Sequence, residues 1–197
     1  MARMSFVHLH VHSNYSLLDG ASSLQRLVRT AKSLGQEALA LTDHGNMFGA
    51  LHFQKVCSAE GIKAIIGCEL YVAPESRFDR SEHTIGRRYY HLIVLAKNET
   101  GYRNLMVLSS KAYIEGMYYK PRVDDELLAQ HAEGLICLSS CLAGQLPYLL
   151  LQGRKREAEE HARKYRALFG VDNYFIEVQD HGLDEEKKVA PLLIELA

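Results

Sequence analysis

The sequence of 197 residues predicts an α/β fold, on three observations. Short apolar segments alternate with longer amphipathic ones along the whole chain, the pattern of βα units and a mainly parallel sheet or barrel. The composition, 47% hydrophobic and 24% charged, suits one domain with a sizeable core. Titratable side chains recur where the short apolar segments end, which is where ligands collect in parallel βα architectures.

Taken in order, "FVHLHVH" alternates as a strand, with Val7, Leu9 and Val11 on one face and His8, His10 and His12 on the other. "NYSLLDGAS" is a loop. Ser22 or Ser23 caps a helix over "LQRLVRTAKSLG", which Gly35 closes. "EALALTD" is a short buried strand, "ALHFQKVCSAEG" a helix and "IKAIIGCELYVA" a third strand. "PESRFDRSEHTIGRR" reads as a surface loop with a mobile tip. "YYHLIVLAK" returns to strand, followed by helices over "ETGYRNLMVLSSKAYIEG" and "DDELLAQHAEG". "LICLSSC" is a strand, and "GRKREAEEHARKYRALFG" an exposed helix whose acids and bases interleave at i,i+4. "NYFIEVQ" is the sixth strand, and "LDEEKKVAPLLIELA" a helix that Pro191 kinks or restarts.

Charge and composition exclude several function classes. A formal charge of −1 rules out nucleic-acid binding by bulk phosphate neutralisation, so any such contact is local or depends on other domains. The N-terminus "MARMSFVHLH" lacks an apolar export region, and no apolar run is long enough to cross a membrane. Cys57, Cys68, Cys137 and Cys141 lack CxxC spacing and read as reduced thiols of a cytoplasmic protein.

Singly, the candidate site residues have ordinary readings beside the chemical one. His10 and His12 lie about 7 Å apart by strand rise and can lean on one metal or on adjacent ones, or simply solvate a strand face. Asp43-His44 is a metal-competent pair or a helix-entry cap beside an incidental imidazole. Glu69 sits in an apolar strand, where a carboxylate is costly without a partner: a metal or another cation supplies one, or the side chain simply emerges at the strand end. Asp19 beside Gly20 is also a turn residue, and Cys141 a small hydrophobe. The other three cysteines read as core, and His52, His131 and His161 as surface or cap. Imidazole, carboxylate and one thiolate converging on one rim describe a site for zinc, manganese or iron.

"HLHVHS", "YSLLDGA", "LTDHGNMFG", "IIGCELYVAPESRFD", "HLIVLAKNETGYRNL", "HAEGLICLSSC" and "YFIEVQDHGL" stand in that order. Together they resemble the polymerase-and-histidinol-phosphatase (PHP) domain found at the N-terminus of bacterial DNA polymerase III alpha subunits, from Phe6 to the last residue. The resemblance implies a distorted, TIM-like βα barrel holding up to three divalent ions, with zinc foremost and manganese or iron as alternatives. It matches His10, His12, Asp19, His44, Glu69, His91 and Cys141 to metal-ligand positions. Glu69 takes the bridging place, and Asp43 orients the His44 ring from outside. His91 begins its strand, so only the resemblance selects it, with His83 as rival. His8 lies lower on the same face, in a polar layer. The family's closing Asp-any-His motif falls beyond Ala197. Residues 1–197 are accordingly expected to be the PHP domain at the front of a longer polymerase chain, without the palm, fingers or thumb and cut before the last barrel strand.

What the resemblance implies for function is a metal-dependent phosphoesterase acting as a 3′–5′ proofreading exonuclease. Its partners are then the DNA 3′ end, the other polymerase domains and replisome subunits, with no membrane. Two alternatives stand beside it. One is a non-catalytic platform that steadies the polymerase core and docks a separate proofreading subunit. The other is a free-standing phosphatase acting on a small phosphoester.

Overall fold

A computed structural model describes residues 6–17, 19–81 and 87–197. His83 and the tip of the long loop fall outside these. The elements in chain order are α1 (Leu24–Ser33), β1 (Ala38–Leu41), α2 (Ala50–Glu60), β2 (Lys63–Val72), β3 (Tyr90–Ala96), α3 (Glu99–Ile114), β4 (Met117–Tyr118), β5 (Lys120–Val123), α4 (Asp125–Gln130), β6 (Leu135–Leu138), α5 (Gln145–Leu151), α6 (Lys155–Phe169), β7 (Tyr174–Phe175) and α7 (Asp184–Leu196). Seven strands form one α/β sheet in the order β4-β5-β2-β3-β6-β7, with β1 also on β2. The arrangement is consistent with a TIM-like barrel.

The expected parallel sheet is in fact mixed. β1–β2, β2–β5 and β6–β7 are parallel, whereas β2–β3 and β3–β6 are antiparallel. The cause is the connection after β2, a loop rather than a crossover helix, which returns the chain alongside itself. The consequence reaches the site. An antiparallel β3 begins where β2 ends, so Tyr71 is paired with His91. The start of β3 therefore shares a rim with the ends of the parallel strands.

Residues 6–12 form no regular strand, and the chain bends at His10. They run beside β1, through Ala40 N–H to His8 O at 3.0 Å and Thr42 N–H to Val11 O at 2.8 Å. The Thr42 hydroxyl accepts from Val11 N–H where a ladder bond would fall. His8 is exposed with its ring edge on Phe6, not set in a polar layer beneath the other two. The sixth expected strand shrinks to the two residues of β7.

Two elements were not legible from patterning. The β4–β5 hairpin turns on Tyr119 at φ 61°, and α5 accommodates Pro147 in its first turn, where no intrahelical N–H is lost. Helix α7 runs through Pro191 without stopping or restarting. Val189 and Leu193 pack there against Leu146, Leu149 and Leu150 of α5, and that burial offsets the missing hydrogen bond.

Cys57, Cys68 and Cys137 are fully buried, as read. His161 is not a surface residue: it is half-buried, with its ring 4.2 Å from that of Tyr165. Burial pushes its pKa down to about 4, with Asp125 opposing the shift and Lys164 adding to it. The unfolded chain therefore binds a proton that the native state refuses between pH 6.5 and 4. Stability from this residue is at its plateau above 6.5 and falls as the pH drops through that window. Discounted for partial exposure, the loss is about 1–2 kcal/mol. His161→Gln should flatten that limb of a urea-denaturation series against pH; an unchanged slope would place the titration elsewhere.

Candidate metal centre

Glu69 is the centre of the site. Its strand is apolar on both sides, and the carboxylate is 0% exposed. Four imidazoles surround it. Glu69 Oε2 lies 3.5 Å from His10 Nε2, 3.2 Å from His12 Nε2 and 2.7 Å from His44 Nδ1. His91 Nδ1 contacts the other oxygen, Oε1. Two groups of three donors share the carboxylate, His10–His12–Glu69 and His44–Glu69–His91, each with its ligand atoms within 4.8 Å of one another.

Local structure explains the convergence. The 6–12 segment brings His10 and His12 together, their Nε2 atoms 3.1 Å apart. His44 follows β1, and its backbone bridges to Glu69. Gly45 must be glycine here: its φ is +62°, and a Cβ would sit 2.8 Å from the Tyr71 ring. His12 and His44 stack at 4.0 Å. His91 joins through the antiparallel β3, and Cys141 through the end of β6.

Asp19 and Cys141 lie at the margins. Asp19, 59% exposed, accepts from His44 Nε2–H at 2.7 Å. Cys141 Sγ is 3.9 Å from His91 Nδ1. Neither joins a group of three close donors among the described residues. Ser140 at φ 68° occupies the left-handed region and turns its hydroxyl toward Glu69 Oε1 at 3.4 Å, a strained backbone of the kind found at functional sites.

Asp43 does not orient the His44 ring. Its carboxylate accepts from Ser13 N–H at 2.6 Å, Ser13 Oγ at 2.8 Å and Ser16 Oγ at 2.7 Å. Ser16 Oγ in turn accepts from the His44 backbone N–H at 3.1 Å. Asp43 thus ties the loop after His12 to the end of β1 and fixes the backbone from which His44 projects. Asp43→Ala would strand three donors, and is expected to cost about 2–4 kcal/mol in chemical denaturation. A loss under about 0.5 kcal/mol would show that the serines find other partners.

Glu177, just past β7, was not selected from the sequence. Its Oε1 accepts from His10 Nδ1–H at 2.7 Å and from Gln179 Nε2 at 2.6 Å. Its backbone N–H reaches Ser139 Oγ at 2.8 Å. A carboxylate behind an imidazole fixes the ring's tautomer and direction. The missed signal was a lone acid in the otherwise apolar "YFIEV".

Electrostatics follow the geometry. Burial would raise the Glu69 carboxyl, but its close approach to the His10, His44 and His91 rings holds it far below the usual carboxylate range. Burial would lower His10, yet Glu177 and Glu69 lift it to about 10. Burial would likewise lower His91, which Cys141 and Glu69 raise to about 9. For His12 burial prevails and its pKa falls. The Cys141 thiol, which burial would raise, is held below its ordinary value by His91.

The donor set fits divalent ions. His44 Nδ1 and Glu69 Oε2 are buried 2.7 Å apart, but neither makes an aligned hydrogen bond. His12 Nδ1 and Glu177 Oε2 are also buried without a partner. Such orphaned polar atoms are costly, and a cation between facing electron-rich atoms removes the cost. Mixed imidazole and carboxylate donors suit zinc, manganese or iron.

Known proteins resemble this chain in sequence and in fold. The chain is 51% identical to the DNA polymerase III subunit alpha of Thermus aquaticus over 199 aligned residues, covering 100% of this chain and 16% of that protein. It is 51% identical to that of Deinococcus radiodurans (95% and 14% covered) and 45% identical to that of Borreliella burgdorferi (98% and 17%). The chain thus spans about a sixth of the length of these relatives. A solved amidohydrolase from Chromobacterium violaceum, with bound sulfate and no metal, shares the fold at a TM-score of 0.51 and 17% identity, over 94% of this chain and 81% of that one. The sequence model of the PHP domain matches residues 8–181, a span that contains every donor described above. The chain belongs to the PHP domain family.

Proposed function

We propose that this chain is the metal-dependent phosphoesterase domain of a bacterial replicative DNA polymerase, working in the cytoplasm and trimming the 3′ end of DNA as a proofreading exonuclease. One observation carries the reading: a fully buried carboxylate, Glu69, shared by two groups of imidazoles at one rim of the sheet. The similarity to DNA polymerase III alpha subunits supplies the DNA and replisome context.

His10, His12 and Glu69 would hold one ion, and His44, His91 and Glu69 a second, with Asp19 and Cys141 at the flanks. Bound there, divalent ions supply charge neutralisation at a phosphodiester and lower the pKa of attacking water. The protein's own part is positional. Glu177 keeps the His10 ring turned toward Glu69, and Asp43 fixes the backbone that carries His44. Glu69, sealed from solvent, supplies the negative charge that holds close dications together.

The double change His10→Ala, His12→Ala in the full-length protein is expected to abolish metal-dependent trimming of a 3′-labelled single strand and to leave most nucleotide incorporation intact. Equal trimming by variant and parent, in nuclease-free preparations, would refute the assignment. Loss of both activities together with the fold would favour a structural platform instead.

A further inference from the structure

Beside the donors opens a cavity of about 740 Å³ whose lining includes Asp19, His44 and His91, within the size range of small-ligand sites. Two aromatic pairs line it as well. Phe48 and Tyr113 have ring centroids 6.5 Å apart, and Tyr71 and Tyr89 5.0 Å apart. Tyr71 adjoins the donors directly, its ring 5.2 Å from that of His91 and 6.2 Å from that of His44. Phe48, by contrast, is 70% exposed. An apolar ring held in water beside a cluster of metal-competent donors is a surface awaiting a flat apolar partner. Lys120 Nζ lies 5.4 Å from the Tyr71 ring centre, in the same cavity.

We propose that this cavity is a stacking subsite for the unpaired 3′-terminal base of a DNA strand. Phe48 and Tyr113 receive the base, Lys120 meets a backbone phosphate, and the scissile linkage lies at the imidazole floor. The proposal rests on the trimming activity proposed above and adds the means of substrate capture. Stacking on aromatics tolerates any base, because every base has a π-face. The one side-chain amide at hand is turned away. Asn46 Nδ2 donates to the Tyr15 and His44 carbonyls at 3.2 and 2.9 Å, and its Oδ1 accepts from Phe48 N–H at 3.1 Å. Its amide therefore holds the Phe48 backbone and does not read base edges. The subsite thus selects single-stranded, frayed ends over paired ones without selecting sequence.

The test is a binding measurement in the full-length protein. The ligand is a single strand ending in 2-aminopurine, whose fluorescence is quenched by stacking, with a phosphorothioate at the terminal linkage to slow hydrolysis. The parent should quench the terminal base. Phe48→Ala should weaken binding about five- to hundredfold, the range of one base–aromatic stack, and restore fluorescence. Phe48→Tyr should behave as the parent, and a strand with an abasic 3′ end should bind parent and Phe48→Ala alike. Because Phe48 is exposed, the alanine variant is not expected to unfold. Absence of quenching by the parent, or equal affinity of parent and Phe48→Ala for the base-bearing end, overturns the proposal. Quenching without trimming would refute the exonuclease reading while upholding the subsite. Trimming without quenching would do the reverse.

Discussion

Glu69→Gln is expected to remove divalent-metal uptake at the rim and to lower 3′ trimming by the full-length protein at least about a thousandfold, some 4 kcal/mol of transition-state stabilisation. Glutamine keeps the shape but not the charge. Both groups of donors contain this one carboxylate, so its loss affects two ions at once, whereas losing His12 affects one. The neutral amide also places an N–H₂ where a carboxylate oxygen now faces the ring nitrogens of His10, His12 and His44. A stability readout separates binding from turnover. A ligand at one hundred times its dissociation constant stabilises the native state by about 2.7 kcal/mol, which for a chain of this size raises Tm by about 5–10 °C. Zinc or manganese should produce that rise in the parent chain, a chelator should reverse it, and Glu69→Gln should lack it. A full metal-induced rise in the variant would show that the ions bind elsewhere.

What could be read in the sequence depended on whether a signal was local. Glu69 stood out because a carboxylate in an apolar strand needs a partner nearby, and its four imidazoles are there. Helix α1 followed from its spacing and its Ser23 cap, and α6 from its interleaved charges. His91 did not follow, because the strand-end rule assumes parallel strands and β3 is antiparallel; the connection between β2 and β3 is legible as a loop, but the direction in which it returns the chain is not. The role of Asp43 was misread for a similar reason. Adjacency to His44 suggested contact with the ring, but the carboxylate points to Ser13 and Ser16, thirty and twenty-seven positions away. Glu177 lies 167 residues from His10, and only the closing curvature of the sheet brings them together.

Asp124→Ala is expected to bring the fold close to its limit. Arg77 and Asp124 are 6% and 2% exposed and form a two-point ion pair, with Nη1 at 2.8 Å from Oδ1 and 3.1 Å from Oδ2. The same carboxylate accepts from Arg77 N–H at 2.8 Å and, as the cap of α4, from Leu127 N–H at 3.0 Å. Arg77 also reaches Glu115 at 2.7 Å, and Arg122 grips the Arg77 and Asp79 carbonyls at 3.2 and 2.6 Å. The base of the loop expected to be plain surface is therefore bolted to α4 and the end of β5. Removing Asp124 leaves the buried Arg77 guanidinium with only the more exposed Glu115 and Glu126, at up to about 3–5 kcal/mol, and the lost cap adds about 1. That approaches the whole stability of a domain whose total is about 5–15 kcal/mol. Asp124→Asn keeps a capping oxygen and should cost less. Adding Arg77→Met to it removes the buried guanidinium that has lost its main partner, so the double variant should regain part of the loss. Urea unfolding of the three variants decides the point, and a cost below about 1 kcal/mol for Asp124→Ala would mean that water already reaches the pair. The site would register the damage too, since this loop runs on to Tyr89 and His91: weaker metal binding should accompany the lost stability.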